Sequence, residues 1–207
     1  MASVRYFYQL SNHKQQSSAV LKQKVYQLNN ILEQSVQAVD GIHGLAQYYL
    51  KRPAEISGYL PKLSQENKMF YLDIKEHDVV KEGRRLNSNI TGTGNVSDFT
   101  ADKKLEITMA NALTPAFVSA QKIIKQATWF YYISLDQFVS LYPWVDRDVW
   151  HFNSATLKNP LYQKMKKFTE INNQAIWSAP YLDPAGTGRK TSLGKAVFYQ
   201  QKQKRNR

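Results

Sequence analysis

The sequence predicts an α+β fold in which a long N-terminal helix packs on an antiparallel sheet. Three observations support this prediction. Apolar residues recur at helical spacing through residues 18–50, a second amphipathic segment spans residues 101–125, and aromatic and β-branched runs separated by turns follow. With 207 residues, of which 43% are hydrophobic and 13% aromatic, the chain can bury the core of one domain approached by a long helix.

The first element is predicted to be one helix from residue 18 to residue 50. Its apolar stripe consists of Leu21, Val25, Leu28, Leu32, Val36, Val39, Ile42 and Ala46. Intervals of three and four residues place these side chains on one face, and Pro53 ends the helix. Because this stripe is longer than one small domain can cover, we expect the chain to form a homodimer through the helix.

The middle of the chain is predicted from turn and capping residues. Residues 53–61 are rich in turn formers, and residues 69–74 are left open between a short strand and irregular structure. The Gly, Thr and Asn residues of segment 89–95 predict a tightly turning loop. Ser97 or Thr100 can cap the helix at 101–125, which Pro115 is expected to kink.

The second half is predicted to contain two hairpins. In order, we expect a hairpin of strands 128–134 and 137–142, an irregular segment 143–158, a short helix from 159 to about 171, and strands 175–181 and 191–199 joined by the turn at 183–188.

Three stretches carry a resemblance to a known family. They are Trp129-Phe130-Tyr131-Tyr132-Ile133-Ser134 with Phe138-Val139-Ser140-Leu141-Tyr142-Pro143-Trp144-Val145, Trp177-Ser178-Ala179-Pro180-Tyr181-Leu182-Asp183-Pro184-Ala185-Gly186 with Thr191-Ser192-Leu193, and Ile90-Thr91-Gly92-Thr93-Gly94. In this order, over roughly residues 89–199, they resemble the Cache (PAS-like, PDC-type) sensor domains of bacterial diguanylate cyclases, histidine kinases and chemoreceptors. The resemblance implies that the first hairpin forms the floor of a ligand pocket and that the other strand pair continues the sheet.

The resemblance also implies a domain organisation and a location. Residues 1–60 would be a signalling helix with its connection, and residues 61–207 a PAS-like sensor domain truncated at its last strand, after Tyr199. The domain would lie on the periplasmic or extracellular side of the bacterial inner membrane, joined to it by flanking helices absent from this chain. One departure concerns the amino-acid-binding branch: in the similar stretch 159–165 only Tyr162 fits its pattern, which argues against that mode of carboxylate recognition.

The chemistry of the chain argues against an enzyme. There is no cysteine, which excludes disulfides, thiolate metal sites and a cysteine nucleophile. The histidines, His13, His43, His77 and His151, lack metal-ligand spacing, and no nucleophile or phosphate-binding motif is present. We therefore expect no catalytic residue, no metal and no cofactor.

An unidentified small molecule is the expected ligand, because aromatic residues concentrate between residues 129 and 181 with charged residues between them. Alternation along the first strand sends Tyr131 and Ile133 to one face and Phe130, Tyr132 and Ser134 to the other. The candidate ligand-binding residues are Tyr132, Tyr142, Trp144, Arg147, Trp150, Tyr181 and Asp183.

Two other functional classes are compatible with parts of the sequence. A helical coiled-coil interaction domain without a ligand would explain the long helix but not the aromatic hairpins. Nucleic-acid binding would rest on the net charge of +12, but the basic residues are spread along the chain and the dense run lies at residues 202–207. We therefore expect no nucleic-acid partner.

Overall fold

The computed structural model of the chain describes residues 2–56, 61–74, 88–169, 172–184 and 186–198, and in the first helix it describes side chains from His13 onward. The fold is α+β, as predicted. The helices are α1 (Ala2–Lys51), α2 (Ala101–Ala112), α3 (Thr114–Ile123) and α4 (Pro160–Met165). The strands are β1 (Ser64–Glu66), β2 (Met69–Ile74), β3 (Ser88–Thr93), β4 (Phe130–Ser134), β5 (Phe138–Tyr142), β6 (Ile176–Trp177), β7 (Tyr181–Leu182), β8 (Arg189–Lys190) and β9 (Leu193–Gly194).

The long helix α1 confirms the prediction for residues 18–50 and begins earlier, at Ala2. Every side chain from His13 to Asn29 is exposed, whereas Ala46 and Leu50 are fully buried. The buried end packs against α2 and α3, as expected. A short 3₁₀ turn at Pro53–Glu55 follows the end of the helix. The helix therefore has a docked end and a projecting end.

The sheet has five antiparallel strands in the order β1-β2-β3-β5-β4. Its central strand is β3, so the prediction of a loop at 89–95 was wrong. Gly92 is required there by close packing, since an added Cβ would lie 2.5 Å from both Cβ of Phe138 and the ring of Phe70. A glycine can mark such a close approach within a strand as well as a turn. Among the described residues no strand pairs with the outer edge of β4.

The helix predicted at 101–125 is two helices. Thr100 is its N-cap, because the Thr100 Oγ1 accepts a hydrogen bond from the Lys103 amide at 3.2 Å. The break falls at Leu113, and Pro115 lies in the first turn of α3, where a proline needs no amide partner. The structure thus confirms the cap and shows that the expected kink is a break.

The C-terminal strands are shorter than predicted and lie outside the five-stranded sheet. β6 pairs with β9 and β7 pairs with β8, which form two short antiparallel ladders. The expectation that this strand pair continues the sheet was therefore wrong for the described residues. The helix predicted at 159–171 ends at Met165. The truncation expected at the last strand, after Tyr199, falls outside the described residues, as does His77.

The core lies between the helices and one face of the sheet. One cluster joins α1, α2, α3 and β4, and includes Ala46, Leu50, Met109, Leu113, Phe117 and Phe130. The other joins α2 to β2, β3 and β5, and includes Phe70, Ile90, Phe99, Ile107, Ala110 and Phe138. Burying a phenylalanine of this kind contributes about 1.5–3 kcal/mol. One face of the sheet is thereby committed to stability, and the opposite face is available for a site.

Candidate functional site

A cavity of about 300 Å³ lies on the sheet face that the helices leave uncovered. Its floor is formed by alternate residues of β4 and β5, namely Tyr131, Ile133, Val139 and Leu141. These are the side chains that strand alternation directs away from the helical layer. The volume is at the lower end of the range for small-molecule sites.

The segment between β5 and α4 forms the roof of this cavity. Trp150 and several residues from Asn153 to Asn159 line it. The roof is anchored to the sheet by Phe152, which is 2% exposed and whose amide donates to Thr91 Oγ1 at 2.9 Å. A second anchor is the Asn89 Nδ2 donating to the Val145 carbonyl at 2.9 Å. The central strand β3 therefore holds the roof in place.

Asp183 is the buried charge of the cavity, with 5% of its surface exposed. Trp129 Nε1 donates to Asp183 Oδ2 at 3.0 Å, and Lys190 Nζ lies 2.7 Å from Asp183 Oδ1. The Thr187 hydroxyl also donates to Asp183 Oδ2. Burial lowers the pKa of Lys190, while Asp183 acts in the opposite direction. This arrangement satisfies the carboxylate and fixes a charged pair at the cavity wall.

Beside the pair of Asp183 and Lys190, the hydroxyl groups of Tyr131 and Tyr181 both contact Ser192. The Tyr131 hydroxyl donates to Ser192 Oγ at 3.2 Å, and the Tyr181 hydroxyl lies 2.6 Å from the same oxygen. Burial and the neighbouring Tyr181 raise the pKa of Tyr131 to about 12. Tyr131 is therefore a neutral hydrogen-bonding group at physiological pH, and it connects the floor of the cavity to the C-terminal ladders.

The structure brings together three of the residues that the sequence suggested. Trp150, Tyr181 and Asp183 line the outer-face cavity. Residues that the sequence reasoning missed are Trp129, Tyr131 and Lys190, which also line it. The alternation of β4 was the available signal for Tyr131, since it places this tyrosine opposite Tyr132.

Trp144 and Arg147 lie elsewhere, where they secure the start of the roof. Arg147 Nε is 3.1 Å from Asp73 Oδ2, and its guanidinium stacks 3.6 Å from the centroid of the Tyr71 ring. Trp144 Nε1 donates to Asp73 Oδ1 at 3.2 Å. Both side chains therefore attach the roof to β2.

Tyr132 and Tyr142 lie on the helical side of the sheet, where both pack against the core cluster of α1, α2 and α3. The Tyr132 hydroxyl donates to Glu106 Oε1 at 2.5 Å. Burial raises the pKa of Glu106, and the bond from Tyr132 partly opposes that shift. Tyr132 therefore serves the interface between the sheet and α2.

A larger cavity of about 830 Å³ lies between α1, the outer edge of β4 and residues 189–198. It reaches around that edge, because Trp129, Tyr131, Ile133 and Lys190 line both cavities. Glu106 faces it, but its carboxylate already accepts the hydrogen bond from Tyr132. Aliphatic side chains of α1 form much of its wall, including Ile31, Val39 and Ile42. We take the smaller cavity as the ligand site because the buried carboxylate of Asp183 lines it and does not line the larger one.

The described residues contain no group of three or more His, Asp or Glu side chains placed to hold a metal ion. His13 and His151 are exposed, and His43 is half-buried. Within the same described ranges, no helix combines the length and apolar character needed to cross a membrane.

Comparison with protein-family models, curated proteins and solved structures gave no match. The resemblance to Cache domains therefore rests on the quoted sequence stretches.

Proposed function

We propose that this chain is the small-molecule sensing domain of a bacterial transmembrane signalling protein, of the Cache type, acting on the periplasmic or extracellular side of the inner membrane. The observation that carries the proposal is the aromatic cavity on the free face of the sheet, with its buried pair of Asp183 and Lys190. A roof tied to the central strand covers the cavity. This combination suits a receptor, because a ligand there would contact both the sheet and the roof.

The cavity favours a small ligand with an apolar body and polar ends. Trp129, Trp150 and Tyr181 offer flat apolar surfaces, and the pair of Asp183 and Lys190 places opposite charges at the cavity wall. Lys158, which is exposed, adds a positive charge at the rim. We therefore expect a ligand that carries at least one charged group.

The cavity is connected to α1 through the C-terminal strands, and this connection offers a route for signalling. β7 and β8 carry Tyr181 and Lys190, and the chain then continues through β9 to contact α1. A ligand that binds one arrangement of these ladders better than another would shift the equilibrium between them. The output module would be a cytoplasmic diguanylate cyclase or histidine kinase elsewhere in the protein, and this chain itself would have no catalytic turnover.

A thermal-shift screen of small charged metabolites tests the proposal. A ligand should raise the melting temperature of the wild-type protein, and Trp150→Ala should abolish most of that shift, because it removes the aromatic roof. Asp183→Asn should also weaken binding, since it removes the negative charge while keeping the shape of the side chain.

Trp177→Ala is the matched control, because Trp177 is a partly exposed tryptophan in the same C-terminal region but does not line the outer-face cavity. It should retain the full ligand-induced shift. A ligand that stabilises all of these variants equally would place the site elsewhere, and a broad screen without any stabilising ligand would contradict the proposed function.

A homodimer through α1 belongs to the same proposal, and the coiled-coil function remains its alternative. The projecting part of α1 exposes a run of large apolar side chains, namely Val20, Leu21, Val25, Tyr26, Leu28 and Leu32. Leu28→Lys should shift the sedimentation coefficient from dimer to monomer, because it places a charge within an apolar seam. Gln34→Lys adds the same charge at an exposed polar position and should leave the dimer intact.

The same measurement separates the two functions. A dimer without any small-molecule ligand would favour the coiled-coil interaction domain. A wild-type protein that stays monomeric at high concentration would contradict both the dimer and the alternative.

A further inference from the structure

The docked part of α1 contacts the C-terminal segment, which we define as residues 193–198. Lys195 Nζ lies 2.7 Å from Asp40 Oδ1 on α1, and β9 packs against the same helix. Asp40 is 47% exposed and Lys195 18% exposed, measured on their side chains. Because this pair is partly solvated, it contributes orientation more than binding energy.

A second contact lies beside this pair and is less accessible to water. Asn173 Nδ2 donates to the Ala196 carbonyl at 2.7 Å and lies 3.2 Å from His43 Nε2. The two hydrogens of one amide group therefore connect α1 to the C-terminal segment. Asn173 Oδ1 is buried, and no partner for it occurs among the described residues.

This geometry requires an unprotonated Nε2 on His43. A hydrogen on that nitrogen would point at the Asn173 amide hydrogens. Rotating the amide to offer Oδ1 to the imidazolium would instead turn that oxygen toward the Ala196 carbonyl and break the 2.7 Å bond. The hydrogen bond from Asn173 to His43 therefore forms only with the neutral imidazole.

The electrostatic surroundings act in the same direction. Burial is the largest cause that lowers the pKa of His43 below its ordinary 6.5, and the Lys195 cation adds to it. A hydrogen bond between the imidazole and the Ala196 backbone opposes this shift and raises the pKa, as does Asp40, while Lys51 lowers it. His43 also lines the larger cavity of about 830 Å³. The other charged groups that face this cavity include Asp102 and Glu106 of α2, and Lys166.

We propose that His43 is an acid-sensitive latch, in which the neutral imidazole and Asn173 hold the C-terminal segment on α1 and protonation of the imidazole releases it. The released segment exposes His43 to water, where the proton is bound more readily. The latch is therefore complete above the ordinary histidine pKa of 6.5 and weakens as the pH falls below it.

The latch gives the outer-face cavity a route to α1. Lys190 and Ser192, which belong to the cavity wall and its hydrogen-bond network, precede Lys195 by only a few residues. If the cavity binds a ligand, as proposed above, ligand and proton must influence each other's binding through this segment. This coupling rests on the proposed function, whereas the latch itself does not.

Hydrogen exchange measured by mass spectrometry without ligand tests the latch. The amides of residues 195–198, which follow the ladder of β6 and β9, should exchange several-fold faster at about pH 5.5 than at about pH 7.5, on either side of the ordinary histidine pKa, after correction for intrinsic rates. His43→Gln should keep these amides protected at both pH values, since its amide oxygen can accept from Asn173 and does not titrate. Asn173→Ala should leave them unprotected at both.

His13→Gln is the matched control, because His13 is an exposed histidine on the same helix and should behave as the wild type. The proposal fails if wild-type protection is the same at both pH values. It also fails if His43→Gln keeps the wild-type pH dependence, since another group such as Glu106 would then be responsible. Failure of the ligand screen would leave this measurement unaffected, so the two proposals can be judged separately.

Discussion

Tyr131 and Tyr132 are neighbours in the same strand, yet they serve opposite layers of the molecule. Tyr132 faces the helices and donates to the buried carboxylate of Glu106 at 2.5 Å. Tyr131 faces the uncovered side and donates to Ser192 at 3.2 Å, at the edge of the aromatic cavity. The difference shows that the two faces of one strand can serve two purposes. Side chains on one face stabilise the fold, and side chains on the other face can contact a ligand.

The largest effect should come from the helical face. Phe138→Ala removes a side chain with no exposed surface that contacts Phe70 and Tyr132. We expect the free energy of unfolding to fall by about 3–5 kcal/mol, because a cavity replaces the ring. Urea denaturation followed by circular dichroism measures it. Leu135→Ala, at a position 64% exposed in the turn between β4 and β5, should change it by less than about 0.5 kcal/mol; equal effects would contradict the division between core and surface.

An intermediate effect is expected for Tyr132→Phe, which removes the hydrogen bond to Glu106. At neutral pH the loss should be about 1–3 kcal/mol, because a partly buried charged acceptor loses one of its hydrogen-bond donors. Burial raises the pKa of Glu106 above its ordinary 4.5, so its ionisation opposes folding. Its contribution to stability is therefore complete below pH 4.5 and declines as the pH rises through the raised pKa.

The pH profile supplies the decisive readout for that variant. Because the Tyr132 hydroxyl favours the ionised carboxylate, the decline with rising pH should be steeper in Tyr132→Phe than in the wild type. Urea denaturation at several pH values measures the difference between the two proteins. A difference that is constant from acidic to neutral pH would mean that Glu106 is not involved.

Of the three substitutions within the strands, Tyr131→Phe should have the smallest effect on stability. Ser192 keeps its contact with Tyr181 in this variant, so we expect a loss of only about 0.5–1 kcal/mol. The loss should not vary between acidic and neutral pH, because the pKa of Tyr131 is raised to about 12. Denaturation at two pH values checks both statements, and a pH-dependent loss would show that the two tyrosines do not differ as described.

Local patterns in the sequence predicted the elements that depend on neighbouring residues. The spacing of apolar residues identified α1, the β-branched and aromatic run identified β4 and β5, and the capping chemistry identified Thr100. Strand β3 was missed because Gly92 suggests a turn when only adjacent residues are considered. Its actual role depends on Phe70 and Phe138, which lie far away in the sequence and meet it only in the folded sheet.

The candidate site was predicted in part for the same reason. Trp150, Tyr181 and Asp183 could be proposed because aromatic and charged residues cluster around them. The position of Arg147 could not, since its partner Asp73 belongs to β2, far earlier in the chain. The alternation of side chains along β4 placed Tyr131 and Tyr132 on opposite faces of the sheet. Which of these faces the helices cover depends on the tertiary structure and could not be predicted from the alternation.

The exposed stretch of α1 has a mechanical consequence. Residues 13–29, whose side chains are all exposed, cover roughly 25 Å of the helix at 1.5 Å per residue. A rigid helix of that length works as a lever, so a tilt of about 4° at its docked end would displace Cα atoms at the other end of this stretch by roughly 2 Å. Packing changes too small to alter the shape of the domain can therefore become movements as large as those that separate two conformations of a helix pair.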